Sequence, residues 1–128
     1  MPPRVLLIEP SPDLCRRFTL ALERCGFEVR AAGSADEVLA AGDGFAPDIV
    51  IADYHLGDES ASELMRALRE NHPGITVLLT SDAFATEQTF GFVKLLPKPS
   101  EPRALLDLLR RKVSADSLWH VRRGRAAS

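Results

Sequence analysis

Pro47-Asp48-Ile49-Val50-Ile51-Ala52-Asp53-Tyr54-His55-Leu56 is the stretch on which the fold turns. Ile49 to Ala52 is an unbroken apolar run with acidic residues at both ends. Such a run reads as a strand buried on both faces, and this one ends on the carboxylate of Asp53. Strands of that kind belong to parallel sheets covered by helices on each side. The flanking sequence should therefore alternate strand and helix.

Toward the N-terminus it does. Val5-Leu6-Leu7-Ile8 is a second continuous apolar run. Ser11-Pro12-Asp13 then reads as a helix start, with a capping hydroxyl, a proline at the first helical position and an acid suited to the helix dipole. Leu14, Phe18, Ala21, Leu22 and Cys25 form the apolar stripe of that helix, and Gly26 ends it. Phe27 to Ala31 reads as a strand. Ser34-Ala35-Asp36-Glu37 has the pattern of a capping box, opening a helix that stops at Gly42-Asp43-Gly44.

Toward the C-terminus, a polar loop from His55 to Ser60 precedes a helix from Ser62 to Asn71. Pro73-Gly74 is a turn, and Ile75 to Leu79 is a strand ending at Thr80-Ser81. Asp82 to Phe90 is read as a short fourth helix, although the two β-branched threonines Thr86 and Thr89 weaken it. Val93 to Leu96 is a fifth strand, and Ser100 caps a last helix from Pro102 to Val113. Five strands alternate with five helices, which implies a parallel sheet with helices on both faces. One domain is expected over residues 1–113, followed by a tail over 114–128 that carries Trp119, Arg122, Arg123 and Arg125.

The bulk properties narrow the function. The 128 residues carry a formal charge of −2, whereas nucleic-acid-binding domains are usually strongly basic. No apolar run approaches the roughly 20 residues of a membrane span, and the start is too short in apolar residues for a signal peptide. A cytoplasmic protein that binds neither nucleic acid nor membrane is expected. Cys15 and Cys25 lie too far apart on one helix to form a disulfide and read as two small buried residues.

Ligands of open parallel sheets bind beyond the carboxyl ends of the strands. Glu9, Asp53, Thr80 and Lys98 all fall at or just after predicted strand ends, so they should gather. Two carboxylates, a hydroxyl and an amine suit phosphoryl transfer to an aspartate. Asp53 would be the nucleophile, Lys98 would neutralise charge, and Thr80 would donate to a phosphoryl oxygen beside the small Ser81. Glu9 and Asp53 supply the oxygen ligands that Mg²⁺ prefers.

At this point the sequence resembles the receiver domains of two-component signalling, over residues 4 to about 113. The resemblance rests on RVLLIEPSPD from Arg4, PDIVIADYHL from Pro47, VLLTSD from Val77 and LLPKP from Leu95. It implies a bacterial flavodoxin-like (βα)5 sandwich with a five-stranded parallel sheet in the order 2-1-3-4-5. It implies phosphorylation of Asp53 by a histidine kinase or phosphotransfer protein, and output through contact with a protein target. It also implies that Thr80 is the switch hydroxyl, that Lys98 is the family's lysine, and that the backbone carbonyl of His55 is the third metal ligand. The Lys98–Pro99 bond resembles one that is often cis. Beyond self-phosphorylation and autodephosphorylation at Asp53, no enzymatic turnover is expected.

Four departures qualify the resemblance. The acidic pair after the first strand is Glu9-Pro10, and proline supplies no ligand, so weak Mg²⁺ binding is expected. Asp58 or Glu59 is a candidate substitute. Leu95 stands where many receivers have an aromatic ring, and Ala61 where glycine is common. The span from Thr80 to Lys98 is about one helical turn short, which alters the family's usual output face. Two readings follow: a phosphoacceptor, stand-alone or cut from a larger hybrid kinase, and a pseudo-receiver that binds its partner without phosphorylation. A monomer or weak homodimer suits either.

Overall fold

A computed structural model describes residues 2–40, 45–53, 59–83, 85–90 and 93–112. The elements in chain order are β1 (Arg4–Ile8), α1 (Pro12–Arg24), β2 (Glu28–Ala32), α2 (Ala35–Ala40) and β3 (Ile49–Asp53). They continue with α3 (Glu59–Asn71), β4 (Thr76–Ser81), β5 (Gln88–Phe90), β6 (Val93–Pro97) and α4 (Pro102–Lys112). One sheet holds all six strands in the order β2-β1-β3-β4-β6-β5. The pairs from β2 through β6 are parallel, so the five parallel strands follow the expected order 2-1-3-4-5.

The alternation of side chains along each strand splits the core in two. Val5, Leu7, Ile49, Ile51, Leu78 and Leu96 point to one face, where Phe18 and Leu22 of α1 and Leu105, Leu108 and Leu109 of α4 cover them. Leu6, Ile8, Val50, Ala52 and Val77 point to the other, beneath Ala35 of α2 and Leu64 and Leu68 of α3. Every residue of β3 is buried, as its uninterrupted apolar run requires. Full burial of one such side chain contributes about 1.5–3 kcal/mol.

The helix starts follow local chemistry. Ser11 Oγ accepts the Leu14 amide at 3.3 Å, and Pro12 occupies the first turn of α1. Gly26, at φ +94°, takes the left-handed turn after the helix. At α2, Ser34 Oγ accepts the Glu37 amide at 3.2 Å, but the Glu37 carboxylate reaches the amide of Gly33 at 2.8 Å. The capping box is thus stretched by one residue.

The segment read as a fourth helix is different. Ser81 Oγ accepts the Ala83 amide at 3.0 Å, fixing a turn, and Gln88–Phe90 then pairs antiparallel with β6. The segment has no apolar stripe to bury as a helix, and its threonines favour extended backbone. Pairing with β6 satisfies backbone groups that would otherwise lie open on that edge. Four helices are therefore found among the described residues. α3 begins at Glu59, three residues before the expected Ser62, and places Ala61 within its first turn. Cys15 is half-buried and Cys25 is exposed; both are free, so the expectation of two buried cysteines fails for Cys25, which follows the last turn of α1.

Candidate functional site

β1, β3 and β4 run parallel and end level with one another, which brings their carboxyl ends together. Glu9 directly follows β1; its amide donates to the Ala32 carbonyl at 2.9 Å, extending the pairing with β2. Asp53 is the last residue of β3 and lies opposite Thr80 of β4. Lys98 follows β6 and is anchored by its amide, which donates to the Ser81 carbonyl at 3.1 Å. Glu9, Asp53, Thr80 and Ser81 are all buried, which is unusual for carboxylates without compensation.

Lys98 supplies that compensation. Its Nζ lies 2.6 Å from Asp53 Oδ2 and 3.0 Å from Glu9 Oε1. A second contact to Glu9, from Nζ to Oε2, is 3.3 Å. Glu9 Oε2 also accepts the Ser11 amide at 2.9 Å. The Thr80 hydroxyl donates to the Ala52 carbonyl at 3.5 Å, a long contact. The four residues expected to gather at the strand ends do so, and Ser81 stands fully buried beside them.

A model of the response regulator receiver domain matches residues 5–110. The chain belongs to that family. Among curated proteins, the receiver is 33% identical over 86 residues to the probable transcriptional regulatory protein TcrX of Mycobacterium tuberculosis, covering 67% of this chain and 37% of TcrX. It is 31% identical over 118 residues to the DNA-binding transcriptional regulator NtrC of Rhizobium meliloti, covering 86% of this chain and 24% of NtrC. The chain thus spans less than half the length of either relative. Two solved structures share the fold. The receiver domain protein of Methanospirillum hungatei has a TM-score of 0.69 at 21% identity, covering 94% of this chain and 98% of that one. Chemotaxis response regulator CheY4 of Vibrio cholerae has a TM-score of 0.67 at 22% identity, covering 87% and 98%.

The electrostatics of the receiver site follow from its contacts. Burial disfavours the charged form of Lys98, but its hydrogen bonds to Asp53 and Glu9, with the charge of those carboxylates, outweigh it and raise its pKa above the ordinary 10.5. Two carboxylates face one ammonium, so the cluster retains a formal charge of −1. Such a site attracts a further cation.

Mg²⁺ commonly binds through one or two carboxylates, completing its shell with phosphate oxygens and water. The Glu9 and Asp53 pair fits that minimum. Pro10 is exposed and contributes no ligand atom from its ring. Among the described residues, no three His, Cys, Asp or Glu side chains gather as a metal cluster. His55, whose carbonyl is expected as the third ligand, and Asp58 lie outside the described residues, as does the side chain of Glu59.

Two further expectations can be placed. The Lys98–Pro99 bond is trans, the isomer that X–Pro bonds ordinarily prefer. Leu95 lies on β6 opposite Leu79, half-buried, where the family often carries an aromatic ring. The sequence reading missed the grip of Glu9 on the Ser11 amide; a glutamate two residues before a helix cap was its only signal. No helix among the described residues is long and apolar enough to cross a membrane.

Proposed function

We propose that the receiver accepts a phosphoryl group on Asp53 from a histidine kinase or phosphotransfer protein and signals through contact with a protein target. The observation that carries this reading is the Lys98 ammonium 2.6 Å from the Asp53 carboxylate, at the point where three parallel strands end. A carboxylate oxygen of Asp53 forms the new bond to phosphorus. The donor's bond to phosphorus breaks, and its electron pair departs with the donor. Lys98 draws developing charge from the phosphoryl oxygens, and Thr80 turns its hydroxyl from the Ala52 carbonyl toward one of them. Ser81, small and buried, leaves space for the group.

Mg²⁺ would be held by Asp53, the backbone carbonyl of His55 and, less directly, Glu9. When bound, it supplies charge neutralisation at the phosphoryl oxygens. With Pro10 in the acidic pair its affinity is reduced. Beyond self-phosphorylation and autodephosphorylation the receiver turns over no substrate. Both relatives carry names that assign transcriptional regulation to proteins much longer than this chain. The −2 charge of this chain supports a protein target rather than nucleic acid.

A second reading, a pseudo-receiver that binds its partner without phosphorylation, is favoured by β5. That strand replaces a helix on the face that usually carries output. Incubation with acetyl phosphate and Mg²⁺, followed by intact mass, separates the two. A gain of one phosphoryl group, lost in Asp53→Asn, supports phosphoacceptance. No gain at high Mg²⁺ supports the pseudo-receiver.

A further inference from the structure

Glu9 is held from three directions. Its amide is tied to the Ala32 carbonyl at the end of β2. One carboxylate oxygen accepts the Ser11 amide at 2.9 Å, and the carboxylate meets Lys98 Nζ at 3.0 Å. Pro10 lies between Glu9 and Ser11. A residue before proline is restricted to extended backbone, and the proline ring fixes φ. The Glu9-Pro10-Ser11 corner therefore has little freedom, and the carboxylate is folded back across it toward Lys98. The carboxylate is buried, so these contacts are sheltered from water.

We propose that Glu9 is a positioning residue: with Pro10 and the Ser11 amide, it holds the Lys98 ammonium at Asp53. The inference rests on the phosphoacceptor reading and deepens it. Lys98 has a long, rotatable side chain, and a single contact to Asp53 would leave its ammonium free to swing about that carboxylate. A second carboxylate on the other side fixes it. When Asp53 forms its bond to phosphorus, one carboxylate oxygen is consumed and its negative charge moves to the phosphoryl oxygens. Glu9 then keeps the ammonium beside the site while its contact to Asp53 loosens. On this account Pro10 removes a metal ligand and in the same step stiffens the corner that aims Glu9 at Lys98.

The test follows phosphorylation of the full chain by acetyl phosphate across a Mg²⁺ series, comparing wild type with Glu9→Gln. In this reaction the Asp53 oxygen bonds to phosphorus and acetate departs with the electron pair of the broken P–O bond. For a positioning residue, Glu9→Gln lowers the rate at saturating Mg²⁺ by about ten- to a hundredfold, whatever shift it makes in the Mg²⁺ midpoint. A raised midpoint with the full rate restored at saturating Mg²⁺ confines Glu9 to metal binding and overturns the proposal. The second measurement is the Lys98 ammonium resonance in protein made with nitrogen-labelled lysine. A resonance that is sharp in wild type and lost to fast exchange in Glu9→Gln supports the proposal. A resonance that Glu9→Gln leaves unchanged overturns it. This arm needs no phosphorylation, so it decides the role of Glu9 even if Asp53 in the wild type takes up no phosphoryl group, which would sink the phosphoacceptor reading instead.

Discussion

Replacing Lys98 with methionine keeps most of the side-chain volume and removes the charge. Glu9 and Asp53, with side chains 5% and 8% exposed, are then left facing each other without their shared cation. Removing one partner of a buried ion pair costs about 3–5 kcal/mol, because the remaining charge is desolvated and uncompensated. The Lys98 side chain is 15% exposed, so water screens part of the effect, and about 2–3 kcal/mol is the expected loss. For a chain of this size that lowers Tm by roughly 8–12 °C. Urea unfolding followed by circular dichroism measures it at neutral pH. A double-mutant cycle sharpens the test. With Asp53→Asn already in place, Lys98→Met should cost clearly less, since one of the two buried, uncompensated charges is gone. A loss within about 0.5 kcal/mol for Lys98→Met alone, the range of an ordinary surface substitution, would refute the ion-pair account.

The raised pKa of Lys98 gives a signed pH dependence. Its contribution is fully present below the ordinary 10.5 and disappears as pH rises through the higher folded value, so the urea midpoint of wild type should fall toward that of Lys98→Met at strongly alkaline pH; parallel profiles would contradict this. The two thiols should differ in reactivity. Burial, then the charge of Glu9, raises the pKa of Cys15 above 9.0, whereas Cys25 is exposed; alkylation near pH 8 followed by mass spectrometry should modify Cys25 first, and equal rates would be inconsistent with the structure. Gly26→Ala, at φ +94°, should destabilise by about 1–2 kcal/mol although no atom lies within 4 Å of the added Cβ; a neutral result would show that the turn relaxes freely.

Much of the fold was legible because the decisive signals are local and redundant. Ile49 to Ala52 can be little other than a doubly buried strand, and Ser11-Pro12-Asp13 announces α1 by capping, proline position and charge together. The site was legible for a topological reason. Parallel strands deliver their C-terminal residues to one edge, so Glu9, Asp53, Thr80 and Lys98 could be placed together without any distance being known. What escaped depends on non-local pairing or on side-chain direction. Gln88-Thr89-Phe90 has no strand pattern of its own and is extended because β6 offers it an edge. The contact from Glu9 to the Ser11 amide depends on how the chain turns at Pro10, and the reach of Glu37 to Gly33 rather than Ser34 on how the preceding loop enters α2.

Those two kinds of information meet at Asp53, whose position the topology gives and whose lysine partner the side chains supply. The most direct test of the account is the intact mass of the full chain after incubation with acetyl phosphate and Mg²⁺. The account predicts a gain of one phosphoryl group, mapped to Asp53 and absent from Asp53→Asn. No gain at high Mg²⁺, or a gain that persists in Asp53→Asn, would contradict it.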